Sequence, residues 1–233
     1  MNEININNQI EDNPIGKTTR RGFLKALAFT AGGLTVLCSG LGIAGVSQPK
    51  IDYYSKLSSN EDTPDNKILL AYGSVCGSTG EVAKAISEEL ISAGLSVDVL
   101  PVQDVKTLTG YQTLILGSAI RMGQLCAKTR QFVDKFNNDI AQMQTAYFIN
   151  CLTMVEDTPE NRAEAEGYLA PLCEIKQPLL KGMFAGNLDF SKVELGLRLT
   201  MSKSDIFPAE GDYRDWKIIG SWGQEITNTL LTI

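Results

Sequence analysis

Small and hydroxyl-bearing residues are concentrated in one short stretch that opens directly onto a helical pattern. The stretch consists of Ser74, Val75, Cys76, Gly77, Ser78 and Thr79. Free N–H groups at a helix N-terminus and short hydroxyl side chains together bind anions. Because the stretch has no Lys or Arg, it favours one phosphate monoester held by neutral donors over a nucleoside triphosphate, which requires a lysine and magnesium. An ordinary hydroxyl-rich turn is the alternative.

The composition excludes several other kinds of chemistry. The 233 residues include no histidine, which rules out Ser-His-Asp and Cys-His nucleophile systems, His-ligated metals and imidazole acid–base catalysis. The five cysteines lie far apart and lack the close pairs of zinc and iron–sulfur sites, so we expect no metal centre. A net charge of −6 makes nucleic acid a poor partner, because phosphate binding needs clustered Lys and Arg.

The elements that must position this chemistry begin at Lys67, where strand and helix patterns start to alternate. Short apolar runs bounded by turn residues predict five strands. They are Ile68–Tyr72, Leu95–Leu100, Thr113–Ser118, Ala146–Asn150 and Met183–Gly186. The second run alternates apolar and polar residues, which indicates a strand nearer an edge of the sheet.

The first two predicted helices follow the first and third strands. Ser78 and Glu81 have the spacing of a capping box, and Gly94 is placed to end the first helix. The second helix has one apolar stripe, formed by Phe132, Phe136 and Ile140.

The last two helices follow the fourth and fifth strands. Thr158 is expected to cap one of them, with Pro159 at its first position and its end at about Leu169. Asp212 is expected to cap the final helix, with Asp215 as the N3 acceptor. The predicted core face of that helix consists of Trp216, Ile219, Ile226 and Leu230.

This order of elements predicts an α/β fold, a doubly wound five-stranded parallel sheet with helices on both faces, over residues 67–233. Ligands of such sheets bind beyond the carboxyl ends of the strands, where the strand order reverses. The stretch from Ser74 to Thr79 follows the first strand and falls at that edge.

The stretch from Ser74 to Thr79 resembles the flavodoxin phosphate loop, Thr/Ser-x-Thr/Ser-Gly-x-Thr/Ser, with Cys76 at the middle hydroxyl position. Phe184–Leu188 and Gly211–Trp216 are similar to one branch of that family, the menaquinone-dependent protoporphyrinogen dehydrogenases and their flavodoxin-domain relatives. The resemblance spans Lys67 to about Leu230. It implies a flavodoxin-like fold and FMN bound without covalent attachment.

The resemblance also implies which residues bind FMN. The phosphate would be held by Ser74, Val75, Cys76, Gly77, Ser78 and Thr79. The loop after the third strand would frame one side of the ring with Ser118, Ala119, Ile120, Arg121, Met122 and Gly123. The loop after the fourth strand would frame the other side with Asn150, Cys151, Leu152 and Thr153.

Two functions are compatible with such a site. Neither ring-framing loop has an aromatic residue, whereas Arg121, if it does not point into solvent, would raise the flavin potential. This favours an oxidoreductase that takes electrons from an organic or protein donor and passes them to a quinone or redox protein. The alternative is a flavodoxin-type electron carrier without its own substrate, docking through its acidic surface. A cofactor-free interaction domain is a third hypothesis.

Three cysteines fall in or just after the same loops. A redox pair of Cys126 and Cys151 is conceivable, but buried, unreactive thiols are the favoured interpretation for these two and for Cys76.

We interpret the N-terminal residues as a targeting signal. Thr18–Lys25 contains Arg20 and Arg21 and precedes an uncharged stretch, Ala26–Pro49, which together resemble a twin-arginine export signal. An ordinary membrane anchor is the alternative. We therefore expect a signal or anchor over residues 1–46 and a polar linker over 47–66. The implied partner is the twin-arginine export machinery, and the implied location is the periplasm or the outer face of the cytoplasmic membrane.

Overall fold

Five parallel strands form the central sheet of the computed structural model, which describes residues 51–58, 67–192 and 208–232. They are β1 (Ile68–Gly73), β2 (Val97–Pro101), β3 (Thr113–Arg121), β4 (Gln144–Cys151) and β5 (Lys181–Ala185). Their spatial order is β2-β1-β3-β4-β5, with every neighbouring pair parallel. The order reverses between β1 and β3, which opens a crevice at the carboxyl ends of those strands.

Within the described ranges, four helices cover the two faces of the sheet: α1 (Ser78–Ser92), α2 (Ala127–Ile140), α3 (Pro159–Ile175) and α4 (Trp216–Leu231). One face of the sheet packs against α1 and α4 in a core that includes Tyr72, Phe148 and Trp222. The other face packs against α2 and α3 in a core that includes Leu116, Phe132 and Leu169. The predicted doubly wound fold is confirmed, and β2 lies at the predicted edge.

The third strand is longer than predicted and continues into a hairpin. Ile120 and Arg121 pair with Leu125 and Gln124 of the short antiparallel strand Gln124–Leu125. The two connecting residues, Met122 and Gly123, have φ values of 54° and 75°, which tight two-residue hairpin turns require. The segment predicted as a ring-framing loop is therefore the end of β3 followed by a turn.

Two predicted helix starts are wrong because an arginine recruits their acidic residues. At α1 the N-cap is Gly77 rather than Ser78, and Glu81 pairs with Arg214 instead of closing a capping box. At α4 the N-cap is Asp215, whose carboxylate accepts hydrogen bonds from two N–H groups of the first turn. Asp212 pairs with Arg214.

The ends and faces of the other helices are only partly as predicted. Thr158 caps α3, where its hydroxyl accepts a hydrogen bond from the N–H of Asn161. This helix continues to Ile175 through Pro171, because Leu169 and Leu172 are both buried on its inner face. In α4, Trp216 is 45% exposed, and Trp222 occupies the core together with Ile219 and Ile226. Leu230 is only partly buried.

Short elements complete the described chain. Asn187–Leu188 pairs antiparallel with Gly211–Asp212, and single 3-10 turns cover Val102–Asp104, Leu152–Val155 and Phe190–Lys192. None of the helices in the described ranges is long and apolar enough to cross a bilayer. The export signal predicted over residues 1–46 lies outside the described residues and stays a prediction.

The predicted linker over 47–66 is described only at residues 51–58, and there it differs from a free linker. Lys56 forms an antiparallel bridge with Val99 of β2, and Tyr53 and Tyr54 pack beside the core that contains α1 and α4. This part of the chain is attached to the domain.

Two glycine substitutions test how tightly the sheet is packed. A Cβ at Gly117 would lie 2.1 Å from the ring of Phe148 on the adjacent strand. Gly117→Ala should therefore lower the free energy of unfolding by about 1–3 kcal/mol or more, measured by urea denaturation. The control is Gly167→Ala in α3, where the added carbon meets nothing within 4 Å and should stabilise the helix by up to ~1 kcal/mol. Equal stability of the two variants would contradict this packing.

Candidate functional site

A cavity of about 450 Å³ lies at the carboxyl ends of β1, β3, β4 and β5, which is the crevice expected from the strand order. Its volume is within the range of small-molecule sites. Residues from all three predicted site segments line it: Ser74, Val75, Cys76, Ser78, Ala119, Ile120, Arg121, Asn150, Cys151 and Leu152.

The turn between β1 and α1 has the features of an anion site. Gly77 has a left-handed conformation (φ 89°) and its N–H donates a hydrogen bond of 2.9 Å to Ser74 Oγ. No side chain caps α1, so the N–H groups of its first turn have no side-chain acceptor in the described residues. The positive end of the helix dipole adds to their attraction for an anion. Thr79 Oγ1 is fully buried beneath this turn and has no hydrogen-bond partner among the described residues.

Arg214 fixes the first turn of α1 from below. Its side chain is 3% exposed, forms ion pairs with Glu81 (2.8 Å) and Asp212 (2.6 Å), and donates a 3.2 Å hydrogen bond to the carbonyl of Ser78. Burial alone would lower the pKa of Arg214, but the bonds to Asp212 and Glu81 outweigh it and raise the pKa. Because Arg214 is already paired with two carboxylates, we assign it the role of positioning the turn.

Several predicted site residues do not line the cavity. Ser118 is fully buried, where its hydroxyl lies 3.0 Å from Thr129 Oγ1 and accepts a hydrogen bond from the N–H of Cys126. Met122 is 66% exposed at the tip of the hairpin, beside Gly123. Thr153 Oγ1 lies 3.2 Å from the hydroxyl of Tyr168.

Asn150 offers an acceptor at the end of β4. Its Nδ2 donates a 3.3 Å hydrogen bond to the carbonyl of Ala185, which fixes the amide plane. Its Oδ1 is buried without a partner among the described residues, and the residue lines the cavity. A ligand with an N–H or O–H group would satisfy this oxygen.

The charged groups that line the cavity are all cationic. They are Arg121, Lys128 and Lys192, and no carboxylate among the described residues lines it. Lys192 is partly neutralised by Asp189, 3.6 Å away. Arg121 is exposed to solvent and also lines the cavity. The side chain therefore faces both solvent and the site, the two alternatives considered from the sequence. In a chain of net charge −6, this local excess of positive charge favours an anionic ligand.

Nine lining residues were not predicted from the sequence. They are Ile51, Tyr53, Cys126, Ala127, Lys128, Gly186, Asn187, Leu188 and Lys192. The segment Gly186–Leu188 could have been assigned to the site from the sequence, since it carries part of the family resemblance. No sequence feature pointed to Ile51 or Tyr53, because they lie in the predicted linker. Tyr53 supplies an aromatic side chain that both ring-framing loops lack.

Comparison with known proteins gives one family match. The sequence model of the flavodoxin-domain family matches residues 69–211. The chain is 23% identical over 175 residues to the protoporphyrinogen IX dehydrogenase (quinone) of Escherichia coli strain K12, covering 70% of this chain and 95% of that protein. It is 23% identical over 180 residues to the enzyme of that name from Leishmania major, covering 72% and 77%. A solved archaeal flavodoxin is 18% identical, with a TM-score of 0.45 over 71% of this chain and 99% of that one.

Three cysteines line the cavity, and the described residues contain no disulfide. Burial raises the pKa of the Cys151 thiol to about 11. Burial also raises the pKa of Cys76, although Arg121 and Lys192 oppose the shift. Cys126 is buried, with its Sγ 3.2 Å from Thr129 Oγ1. Because the thiolate is the reactive form, this geometry favours unreactive thiols over a redox pair.

Alkylation of the folded protein with iodoacetamide tests the state of Cys151. With a pKa near 11, about 0.1% of this thiol is ionised at pH 8, so labelling should be slow and should rise about tenfold per pH unit up to pH 10. Peptide mass spectrometry reports each cysteine, and labelling in urea provides the control. Labelling of Cys151 at pH 8 as fast as in urea, or a Cys126–Cys151 disulfide, would contradict the interpretation.

Proposed function

Because the chain belongs to the flavodoxin-domain family, we propose that it is an FMN-dependent oxidoreductase that passes electrons from an organic or protein donor to a quinone-type acceptor. FMN is the cofactor of this fold, and the chain is an FMN-binding protein. The observation that carries the proposal is the cavity itself. It joins an uncapped helix N-terminus to walls whose charged groups, within the described part of the chain, are all cationic.

The residues around the cavity fit FMN. The first-turn N–H groups of α1, with the hydroxyls of Ser74 and Ser78, would hold the phosphate through neutral donors. Ala119–Arg121 and Asn150–Leu152 would border the ring, and Asn150 Oδ1 would accept a hydrogen bond from it. When bound, FMN supplies the capacity to accept one or two electrons, which none of the protein's side chains offers.

The charge of the walls distinguishes the two candidate functions. A cation beside FMN favours the reduced, more negative state and so raises the potential, whereas low-potential carriers use acidic surroundings. The presence of Arg121 therefore favours the oxidoreductase, which accepts electrons and passes them to a quinone. The names of both relatives include a quinone, which supports the same class of function. The predicted export signal would place this chemistry at the outer face of the membrane.

Porphyrinogen is not part of the proposal. The resemblance to the quinone-dependent porphyrinogen enzymes implies an insertion rich in basic and aromatic residues after the fifth strand. Here the sequence has three basic residues, Lys192, Arg198 and Lys203, and no aromatic residue between Phe190 and Phe207. Positions 193–207 lie outside the described residues.

An electron carrier remains the second candidate, supported by the net charge of −6, which would attract basic partners. Anaerobic reduction of the FMN-loaded protein, followed by absorption, separates the two. The oxidoreductase should take up two electrons at one potential and reduce a soluble menaquinone analogue catalytically. Two well-separated one-electron steps without quinone turnover would support the carrier.

Ser78→Asp tests the phosphate position. Two like charges at the first turn should weaken FMN binding at least ~100-fold, about 3 kcal/mol, measured by fluorescence titration. The helix should persist, because an acidic residue suits the first turn. Ser92→Asp adds the same charge at the other end of α1 and should bind FMN normally. Unchanged affinity in Ser78→Asp would place the phosphate elsewhere.

Arg121→Gln tests the role assigned to the cationic wall. Loss of this charge should lower the flavin midpoint potential by roughly 20–60 mV, which is about 1–3 kcal/mol for two electrons. Potentiometric titration with reference dyes measures the shift. Arg162→Gln is the control, because Arg162, in α3, pairs with Asp157 and does not line the cavity. A potential unchanged by Arg121→Gln would remove this residue from flavin tuning.

A further inference from the structure

Residues 51–58, which we call the strap, bring two side chains to the cavity from outside the matched family domain. The flavodoxin-domain match begins at residue 69, whereas Ile51 and Tyr53 line the cavity. The predicted linker therefore contributes directly to the site.

The strap is anchored away from the cavity, on the edge strand β2. Lys56 and Val99 exchange two backbone hydrogen bonds of 3.0 and 2.7 Å. The N–H of Ser58 donates a 2.7 Å hydrogen bond to the carboxylate of Asp98, which is 2% exposed and also pairs with Lys67. These bonds fix the path of the strap without involving any residue of the cavity wall.

A second anchor lies closer to the cavity. Tyr72 of β1 is fully buried, and its hydroxyl donates a 2.8 Å hydrogen bond to the carbonyl of Tyr54. Burial raises the pKa of Tyr72 above its usual value, although the hydrogen bond to Tyr54 opposes the shift. Tyr72 therefore stays protonated and keeps donating to Tyr54 across the pH range in which proteins are studied.

Beyond this anchor the strap reaches both helices that begin at the cavity. Ile51 Cγ2 lies 3.3 Å from the position of a Cβ at Gly77, so Ile51 covers the turn at the start of α1. Lys128, in the first turn of α2, donates a 3.2 Å hydrogen bond to the hydroxyl of Tyr53, and its Nζ lies 4.7 Å from the centre of that ring. Lys128 thereby holds the tyrosine at the cavity.

We propose that the strap is part of the FMN site and slows the release of FMN, with Ile51 covering the phosphate turn and Tyr53 forming an aromatic wall. The inference rests on FMN binding as assigned above. Because the strap is held by bonds to β1 and β2, its two lining residues are already in place before the cofactor binds. Contacts of Ile51 and Tyr53 with FMN therefore cost little conformational entropy.

The rate of FMN release from the loaded full-length protein tests this inference. Free FMN is fluorescent, so stopped-flow dilution reports dissociation without any activity assay. Ile51→Ala and Tyr53→Ala should each release FMN ~5–20-fold faster, the range expected for losing one apolar or aromatic contact. Tyr53→Phe keeps the ring and should stay within about threefold of the wild-type rate.

Leu57→Ala is the matched control, because Leu57 belongs to the strap, is 65% exposed and does not line the cavity. It should release FMN at the wild-type rate. Wild-type rates in both Ile51→Ala and Tyr53→Ala would overturn the inference and leave FMN binding intact. A wild-type protein that does not bind FMN would overturn the proposed function instead.

Discussion

The N-terminus of α1 is the constraint on which the rest of the site depends. A helix begins with N–H groups that have no partner inside the helix, and most helices satisfy some of them with a side-chain cap. Here the cap position is taken by Gly77 in a left-handed conformation, and no side chain replaces it. We propose that a ligand anion completes the helix. Arg214 pairs with Glu81 in this turn, and Ile51 of the strap covers the turn. Distant parts of the chain therefore meet at one group of backbone amides without a side-chain cap.

The same turn explains why an acidic protein can bind an anionic cofactor. Net charge is a property of the whole surface, whereas binding depends on the groups that line the cavity. The lining carries Arg121, Lys128 and Lys192, and the nearby carboxylates Glu81 and Asp212 are engaged by Arg214. Segregation of charge thus gives a cationic cavity within a molecule of net charge −6.

The sequence predicted the fold well because its signals are local. Apolar runs separated by turn residues located all five parallel strands of the main sheet, and the spacing of Phe132, Phe136 and Ile140 identified the buried face of α2. The helix starts failed where a long-range interaction outweighed the local pattern. Arg214 recruits Glu81, which lies far away in sequence, so the local capping pattern was misleading. Tyr53 was missed for the same reason, since only the folded chain brings it to the cavity.

The comparison of FMN with riboflavin tests the central claim most directly, because the two differ only in the phosphate. Isothermal titration calorimetry of the purified protein measures both affinities under one condition. If the uncapped N-terminus of α1 holds the phosphate, FMN should bind at least ~100-fold more tightly, since charge-assisted hydrogen bonds contribute about 1.5–3 kcal/mol each. Equal affinity for FMN and riboflavin would contradict the account.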